Sequence, residues 1–300
     1  MAASSSENVT LDDRYHVQLN RVLGEGGFGT VYRAKDLHTP HPHTELAAKR
    51  VTRPDAIRSL QVEADVLKRL DSHPCVIRLA HYAQPSPTEA WVLLELASGG
   101  ELFNRLIDSG TLTERSVRQV ALNLFSALTH CLSRGIIHRD VKLENIMLVA
   151  EDPNALKLVD FGLAVVLPLD STGAVRPRVL TDGVGSRSYK APELFHSTAG
   201  YQAPPVDAWS TGIVLFTLLS GFFPLDEARP PAATSSSGDW RFTKLAQDQA
   251  RGVGACASVY AMYKRPCPFS NAARQVINRL LLIDPARRLT IAEAATMPWL

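Results

Sequence analysis

The densest group of chemically capable side chains lies in the stretch GIIHRDVKLENIMLV, residues 135–149. An acid, a base and an amide, Asp140, Lys142 and Asn145, follow an apolar run there. Further along, LKLVDFGLA places Asp160 after a second apolar run. Carboxylate and amide oxygens are hard ligands of the kind that Mg²⁺ combines with waters and phosphate oxygens. We therefore predict that Asn145 and Asp160 form a two-ion phosphate site.

A glycine-rich stretch nearer the start of the chain could hold the phosphates themselves. GEGGFGTV places Gly24, Gly26 and Gly29 ahead of Val31, and glycines let backbone amides approach phosphate oxygens closely. A dinucleotide-binding loop would need a helix directly afterwards and an acid downstream. Here the next residues alternate like a strand, and the downstream residue is Lys49. The pattern favours a strand-turn-strand flap over a nucleotide.

Lys49 lies among apolar residues in LAAKRV. Leu46 and two alanines precede it, and Val51 lies two residues after it. A lone lysine on a strand is usually a solvated charge, but a charged head among apolar neighbours needs a partner. Glu63, in the helical stretch SLQVEADVLKRL, is a suitable partner. Such a pair can hold the lysine against phosphate oxygens.

Two kinds of element must position these groups. From Tyr15 to Leu96 short apolar-polar alternations predict strands, with one helix from about Ala56 to Leu70. After residues 99–100, helical periodicity dominates, and Gly135 is placed to cap the helix over SVRQVALNLFSALTHCLSRG. We predict an α+β fold with a small, mainly antiparallel lobe over residues 15–96 and a mainly helical lobe over residues 97–300, after a disordered lead over residues 1–14.

Composition excludes several classes of protein. The 300 residues are 45% hydrophobic with a net charge of +2, so nucleic acid is not an expected partner. The four cysteines lack a Cys-x-x-Cys pair and suit reduced thiols, in the cytoplasm or the nucleus. There is no secretory signal pattern. The longest apolar run, GIVLFTLLSGFFPL, is too short to span a bilayer and predicts a buried helix.

Two segments lack any regular pattern. HTPHPHTE contains His38, His41 and His43, whose spacing and intervening prolines predict a loop without metal rather than a metal site. ARPPAATSSSG, residues 228–238, predicts a surface loop. SSSGDWRF, residues 235–242, predicts a tolerated surface insertion, with a phosphorylation or docking role as the alternative.

Taken together, the motifs resemble the eukaryotic protein kinase family from about Tyr15 to the end of the chain. They occur in the family's order: GEGGFGTV, AAK, HRDVKLEN, DFG, APE, DAWSTG and DPARRLT. The resemblance implies a two-lobed fold that binds ATP and Mg²⁺ between its lobes and phosphorylates proteins. Lys142, two residues after Asp140, and Ser186 match positions typical of serine/threonine kinases.

The resemblance also assigns roles to single residues. Asp140 would orient the acceptor hydroxyl and accept its proton, Lys142 would steady the transferring phosphate, Asn145 and Asp160 would hold Mg²⁺, and Lys49 and Glu63 would pair. The remaining implied roles are nucleotide binding by Leu23, Gly24, Gly26, Gly29, Val31, Ala47, Lys49, Glu95, Ala97 and Met147, with Leu96 in the hinge; a gatekeeper at Leu94; an apolar spine of Leu67, Leu79, His138 and Phe161; a brace at Asp207; and an Arg288–Glu193 pair.

Substrate choice and subgroup follow from other positions. Glu101 and Glu144 match two acids that receive arginine upstream of the acceptor in basophilic relatives, which implies a preference for Arg or Lys there. Solvated acids are the alternative. The LELASGGELFNRL stretch and the C-terminal motifs look most like the calmodulin-dependent-kinase-like group. Because the chain ends just after Trp299, we expect no calmodulin-binding helix within it, and we expect a monomer.

The stretch TDGVGSRSYKAPE raises the question of regulation. In many relatives a phosphothreonine four residues before the position of Ser186 orders this loop through a basic pocket. Here that residue is Asp182, and of the pocket only Arg139 remains, because Val165 and Ser59 occupy its other positions. Our hypothesis is that Asp182 pairs with Arg139 and gives partial activity without phosphorylation. The alternative is that Thr181 is the phosphorylation site.

Two other functions compete with phosphotransfer. One is a pseudokinase, a catalytically weak scaffold that binds nucleotide, and the other is a nucleotide-binding module without a protein substrate. A pseudokinase normally lacks a catalytic lysine, acid or metal ligand, and this chain has all of them. The elements on the substrate side, such as Ser186, disfavour the module.

Overall fold

The protein is described from a computed structural model, which covers residues 8–26, 29–38, 45–150, 152–195, 200–229 and 238–300. Strands and helices follow the order expected for a sheet lobe and a helical lobe. The strands are β1 Asn8–Leu11, β2 Tyr15–Gly26, β3 Gly29–Asp36, β4 Glu45–Val51, β5 Leu79–Ser86, β6 Glu89–Glu95, β7 Ile136–Ile137, β8 Ile146–Val149, β9 Asp152–Leu158, β10 Val165–Val166, β11 Val179–Leu180 and β12 Tyr201–Gln202. The helices are α1 Pro54–Leu70, α2 Leu102–Ser109, α3 Glu114–Ser133, α4 Pro204–Ser220, α5 Trp240–Ala250, α6 Ala255–Met262, α7 Asn271–Leu280 and α8 Ile291–Ala294.

The small lobe is a six-stranded antiparallel sheet in the order β1-β2-β3-β4-β6-β5, with α1 packed on it. The glycine-rich stretch joins β2 to β3 as a hairpin, with Gly24 opposite Val31 and Gly26 opposite Gly29. Gly29 has a φ of +143°, and a Cβ there would lie 2.1 Å from the Arg50 carbonyl oxygen of β4. The predicted two-lobed α+β fold and the strand-turn-strand flap are therefore confirmed.

The prediction of a disordered lead over residues 1–14 is wrong for the part that the structure describes. Residues 8–11 form β1, which pairs with β2 from Asn8 opposite Gln18 to Leu11 opposite Tyr15. Leu11 is buried against the sheet core. Asp12 and Asp13 make the turn with φ values of 51° and 52°, a left-handed conformation that aspartate tolerates better than most residues.

Helix α1 carries Glu63 and links the two lobes. It begins two residues before the predicted start, because Pro54 fits the first helical turn. One part of its buried face packs on the sheet. Near its C-terminal end, Val66, Leu67 and Leu70 join the core of the helical lobe. The helix therefore fixes the position of Glu63 relative to both lobes.

The helical lobe is built around α3 and α4. The predicted apolar face of α3 is buried, and its N-terminus is capped by Thr113, whose Oγ1 accepts from the Ser116 amide. Gly135 follows the helix with a φ of +71°, and a Cβ there would lie 2.3 Å from the Leu167 carbonyl oxygen. The predicted buried helix is α4, which is covered over most of its length. Within the described ranges, no helix is long and apolar enough to cross a membrane.

Parts of the irregular segments lie outside the described residues. His41 and His43 are among them, as are residues 230–237, which include the first three residues of the predicted surface insertion. The last three residues of that insertion, from Trp240 onward, instead begin α5. His38 is described, and its amide donates to Asp36 Oδ1 at 3.0 Å. No group of three or more metal-ligating His, Cys, Asp or Glu side chains occurs in the ranges given above.

Candidate active site

The loop after β7 carries the acid, base and amide singled out above. The Lys142 Nζ donates to Asp140 Oδ2 at 2.8 Å and to Ser186 Oγ at 3.0 Å. The Ser186 amide donates to Asp140 Oδ1 at 2.9 Å. Asn145 lies in a 3₁₀ turn over Leu143–Asn145, and its Nδ2 donates to the Asp140 carbonyl at 2.9 Å. The Asp140 carboxylate is thus oriented by side chains of its own loop and by the backbone amide of Ser186 from a distant segment.

A buried carboxylate below the loop determines its backbone path. Asp207, in the first turn of α4, accepts the amides of His138 and Arg139 at 2.8 Å each. Burial raises the pKa of Asp207, although these two amides and the charge on Arg139 oppose the rise. Arg139 has a φ of +65°, a strained value for a non-glycine residue. The Asp207 bonds hold this turn and so place Asp140.

Lys49 lies between two carboxylates at the junction of the lobes. Its Nζ is 2.9 Å from Glu63 Oε2 on α1 and 3.5 Å from Asp160 Oδ1. Burial alone would lower the pKa of Lys49, but Glu63 and Asp160 raise it further than burial lowers it. The lysine is therefore held charged and positioned by the helix.

Asp160 belongs to a sharp turn that favours its ionised form. Its φ is +63°. Burial would raise the pKa of this carboxyl, but Lys49, His138, Lys142 and the Gly162 amide together bring it below its ordinary value. An ionised, partly enclosed carboxylate is the kind of oxygen ligand that Mg²⁺ requires.

The donor set fits a magnesium–nucleotide complex. Because Asn145 Nδ2 is used in a bond to Asp140, its Oδ1 is the atom that would face a cation. No described atom lies within 4 Å of a Cβ built on Gly24 or Gly26. Packing within the described chain therefore does not explain these glycines, whereas the close approach of a phosphate does.

The other predicted nucleotide contacts lie around the junction between β6 and the helical lobe. Ala47 is opposite Leu94, the predicted gatekeeper, in the sheet register, and Met147 forms a bridge with Glu101. The Glu95 side chain accepts from the Arg78 amide and pairs with Lys157, both at 2.8 Å. Only the backbone of Glu95 is thus suited to contact adenine. Ala97 is partly buried against the core, Leu23 is exposed, and Val31 is half-buried.

Two contacts near Phe161 connect the metal loop to the rest of the core. The rings of His138 and Phe161 meet edge to face with centroids 4.7 Å apart, and Leu67 and Leu79 pack with the same core. Ser59 Oγ donates to the Gly162 carbonyl at 3.1 Å. In the sequence, Ser59 is notable only because it stands where relatives often carry a basic residue. In the fold it links α1 to the Asp160 turn, a role that sequence spacing does not reveal.

The activation segment, residues 160–193, carries the predicted Asp182–Arg139 contact. Arg139 Nη1 donates to Asp182 Oδ2 at 2.8 Å, and Arg139 Nε donates to the Leu163 carbonyl at 2.8 Å. The sequence analysis missed a third partner, Tyr201 in β12. Its hydroxyl donates to the Asp182 carbonyl at 3.0 Å and contacts Arg139 Nη1 at 3.1 Å. Thr181, the alternative site, is exposed.

The end of the activation segment is held by a second arginine. Arg288 donates to both carboxylate oxygens of Glu193, from Nη1 at 2.6 Å and from Nη2 at 2.9 Å. The Arg288 side chain is fully buried. The structure thus brings together the two residues of this predicted pair, which lie 95 residues apart in the sequence.

The two acids predicted to read the substrate also lie near each other. Glu144 Oε2 accepts from the Tyr189 hydroxyl at 3.1 Å. Glu101 precedes α2, and burial together with the Glu144 charge raises the pKa of Glu101. A cation bound between them would relieve that repulsion.

Comparisons with known proteins agree with this geometry. A sequence model of the protein kinase domain matches residues 17–300. CBL-interacting serine/threonine-protein kinase 8 of Arabidopsis thaliana is 32% identical over 287 residues, 94% of this chain and 57% of the relative. Calcium/calmodulin-dependent protein kinase type IV of Mus musculus is 34% identical over 279 residues, 92% of this chain and 53% of the relative.

A third relative, calcium-dependent protein kinase 5 of Oryza sativa subsp. japonica, is 31% identical over 292 residues, 95% of this chain and 47% of the relative. The chain spans about half the length of these relatives. Their names agree with the predicted likeness to the calmodulin-dependent-kinase-like group. The chain therefore belongs to the protein kinase family, among relatives of the serine/threonine type.

Proposed function

We propose that this chain transfers the γ-phosphate of ATP to serine or threonine hydroxyls of proteins. The observation that carries the proposal is the joint orientation of the Asp140 carboxylate by Lys142, Asn145 and Ser186. Such an arrangement leaves a carboxylate positioned beside a substrate-facing segment. Neither a scaffold nor a nucleotide-binding module has a use for it.

Each residue of the site has a distinct part in the proposed reaction. Asp160 and Asn145 would hold Mg²⁺, and Lys49, positioned by Glu63, would contact phosphate oxygens. Bound Mg-ATP supplies the transferable phosphoryl group and the positive charge that offsets its oxygens. Asp140 accepts the proton of the acceptor hydroxyl as the acceptor oxygen bonds to phosphorus and ADP departs. Lys142 offsets negative charge on the transferring group.

The finer proposal concerns the substrate. The adjacent Glu101 and Glu144 carboxylates are suited to bind Arg or Lys a few residues N-terminal to the acceptor. The raised pKa of Glu101, caused by burial and by Glu144, supports this because a bound cation would lower it again. The substitutions Glu101→Gln and Glu144→Gln should each weaken the preference for a basic residue in a positional peptide array. An array without basic preference in the parent would remove this part of the proposal.

The proposal on regulation is that Asp182 orders the activation segment without phosphorylation. Its carboxylate has two partners, Arg139 and Tyr201. A carboxylate carries about one charge where a phosphate carries roughly 1.5 to 2. We therefore expect partial activity from the unphosphorylated chain rather than full activity.

The deciding experiment uses Asp140→Asn on purified chain. The rate of peptide phosphorylation should fall by about 10²–10⁴-fold, the usual contribution of a positioned general base. Asp108→Asn, an exposed acid on α2, is the matched control and should retain the parental rate.

A binding measurement separates phosphotransfer from the alternatives. Mg-ATP should raise the thermal stability of both the parent and Asp140→Asn, because Asp140 is not among the proposed nucleotide ligands. A parent that gains stability with Mg-ATP yet phosphorylates no peptide would be a nucleotide-binding scaffold. A parental rate for Asp140→Asn would refute the mechanism.

A further inference from the structure

A cavity of about 430 Å³ lies beside the active site, outside the residues discussed so far. Its described lining comes from the activation segment, from Phe195 just beyond that segment, and from the chain after α4. The lining residues are Gly185, Arg187, Lys190, Phe195, Glu227 and Arg229. Three of these six carry a positive charge and one carries a negative charge, so the described lining has a formal charge of +2.

The cations are held in place rather than dispersed. The buried Glu227 contacts Arg187 Nε at 3.1 Å and Arg229 Nε at 3.2 Å. The ring of Phe195 lies 5.5 Å from Lys190 Nζ and 5.2 Å from Arg229 Cζ. Lys190 Nζ also donates to the Gly183 carbonyl at 2.7 Å. One carboxylate and one aromatic ring thus collect three cations at one cavity.

The single carboxylate of the described lining does not balance the charge of its three cations. Each Glu227 contact is made through an arginine Nε, and a guanidinium has further N–H donors in the same plane. Burial and the neighbouring Arg229 charge lower the pKa of Lys190, as expected for cations that repel each other. A second anion in the cavity would complete the pairing of these groups.

The cavity adjoins the cleft that contains Asp140. Gly185 and Lys190 also line a smaller cleft that contains Asp140 and Ser186, and Arg187 directly follows Ser186, whose amide donates to Asp140. An extended peptide advances about 3.3 Å per residue. A substrate whose acceptor lies at Asp140 can therefore place a side chain one or two residues away into the cavity.

The proposed function, on which this inference rests, indicates whether the cavity receives substrate residues before or after the acceptor. Glu101 and Glu144 are assigned to residues N-terminal to the acceptor. Glu101 directly precedes α2, and Glu144 lies in the 3₁₀ turn at Leu143–Asn145. Neither residue lines the cavity. The cavity is thus left for residues that follow the acceptor.

We propose that the Arg187–Lys190–Arg229 cavity selects substrates with an anionic side chain, a carboxylate or a phosphate, one or two residues C-terminal to the acceptor. Combined with the acidic pair, it predicts a bipolar substrate: basic before the acceptor and acidic after it.

The test measures kcat/KM for a set of serine peptides with a fixed upstream arginine. The residue after the acceptor, or the next one, is Glu, phosphoserine, Gln or Lys. We expect Glu or phosphoserine to exceed Gln about threefold to tenfold and Lys by more, in line with charge-assisted pairing at a partly exposed site. The ratio between Glu and phosphoserine identifies which anion is preferred. Equal values for all four residues at both positions would overturn the proposal.

Charge reversal tests the cavity itself. Arg187→Glu and Lys190→Glu should each shift the Glu-to-Lys ratio toward Lys, by tenfold or more in the double variant. Arg265→Glu, an exposed arginine elsewhere, should leave the ratio unchanged. Because the readout is a ratio within one variant, partial loss of folded enzyme does not affect it. An unchanged ratio in the double variant would refute the assignment to this cavity.

The result can be separated from the fate of the proposed function. If peptides are phosphorylated without regard to acidity, phosphotransfer stands and the cavity assignment fails. If no peptide is phosphorylated, phosphotransfer fails, and fluorescence anisotropy of the same labelled peptides decides the cavity assignment. Tighter binding of the Glu or phosphoserine peptides would support it, and equal binding of all peptides would overturn it.

Discussion

Two arginine–carboxylate pairs hold the activation segment, and they differ in almost every physical respect. Arg288 donates to Glu193 through both terminal nitrogens, and its side chain is fully buried. Arg139 meets Asp182 through one nitrogen, and half of the Asp182 side chain is exposed. The first pair closes the segment onto the helical lobe. The second pair holds the middle of the activation segment through a contact in which water can replace Arg139 as a partner of the half-exposed Asp182 carboxylate.

The difference indicates a division of roles. Removing one partner of a buried pair leaves an uncompensated charge and typically costs about 3–5 kcal/mol, whereas an exposed pair contributes only about 0.2–1 kcal/mol. The Glu193 pair therefore belongs to folding. The Asp182 pair contributes an amount comparable to the free energy that separates alternative states of a loop, which suits it to bias activity.

The largest effect should come from Arg288→Ala. It leaves the Glu193 carboxylate without its bidentate partner in a buried setting, so we expect the free energy of unfolding to fall by about 3–5 kcal/mol. Urea denaturation followed by circular dichroism measures this. Arg287→Ala, its exposed neighbour, should change stability by less than about 0.5 kcal/mol. If both variants unfold at the parental midpoint, the first half of the comparison is wrong.

Asp182→Ala should affect activity more than stability. Loss of the Arg139 contact and the Tyr201 bond removes about 1–2 kcal/mol from the ordered segment. Tenfold corresponds to 1.4 kcal/mol, so the initial rate of phosphatase-treated enzyme should fall about fivefold to thirtyfold. Its urea midpoint should stay near that of the parent. A rate equal to that of the parent would show that the pair does not order the segment.

Tyr201→Phe isolates the smaller part of the same network. The residue keeps its place on β12, opposite Leu180 of β11, while the hydroxyl bonds to Asp182 and the contact to Arg139 are lost. One neutral hydrogen bond contributes about 0.5–1.5 kcal/mol, so we expect a loss of rate of about twofold to twelvefold. The double variant with Asp182→Ala should lose less than the product of the two single losses, because the residues share one network. Multiplicative losses would mean that they act separately.

The residues of the site that could be predicted from the sequence are those whose chemistry is carried by a short motif or by their immediate neighbours. Asp140, Lys142, Asn145 and Asp160 stand in short motifs whose spacing carries their chemistry, so the sequence analysis located them. Lys49 and Glu63 could be paired because apolar neighbours leave a buried lysine in need of an acid. The antiparallel lobe followed from period-2 alternation.

What the sequence analysis missed depends on contacts between distant segments. Tyr201 reaches Asp182 only because β12 pairs with β11, and Ser59 meets Gly162 across the packing of α1. Strand β1 was missed because the N-terminal stretch was interpreted as a disordered lead, although Asp12 and Asp13 form the turn that leads from β1 into β2. No periodicity or spacing rule identifies such partners, since they arise from tertiary packing.

The smallest effect should come from Thr181→Ala, and it separates the two explanations of the activation segment. Thr181 is exposed, whereas Arg139 is already engaged by Asp182, Tyr201 and the Leu163 carbonyl. A phosphate on Thr181 would place about −1.5 to −2 charges next to the Asp182 carboxylate, which would add repulsion and compete for the same arginine. We therefore expect Thr181→Ala to change the rate by less than twofold, with or without phosphatase treatment. Mass spectrometry of the activation segment provides the matching readout: phosphate at Thr181 together with a larger loss in Thr181→Ala than in Asp182→Ala would reverse the assignment.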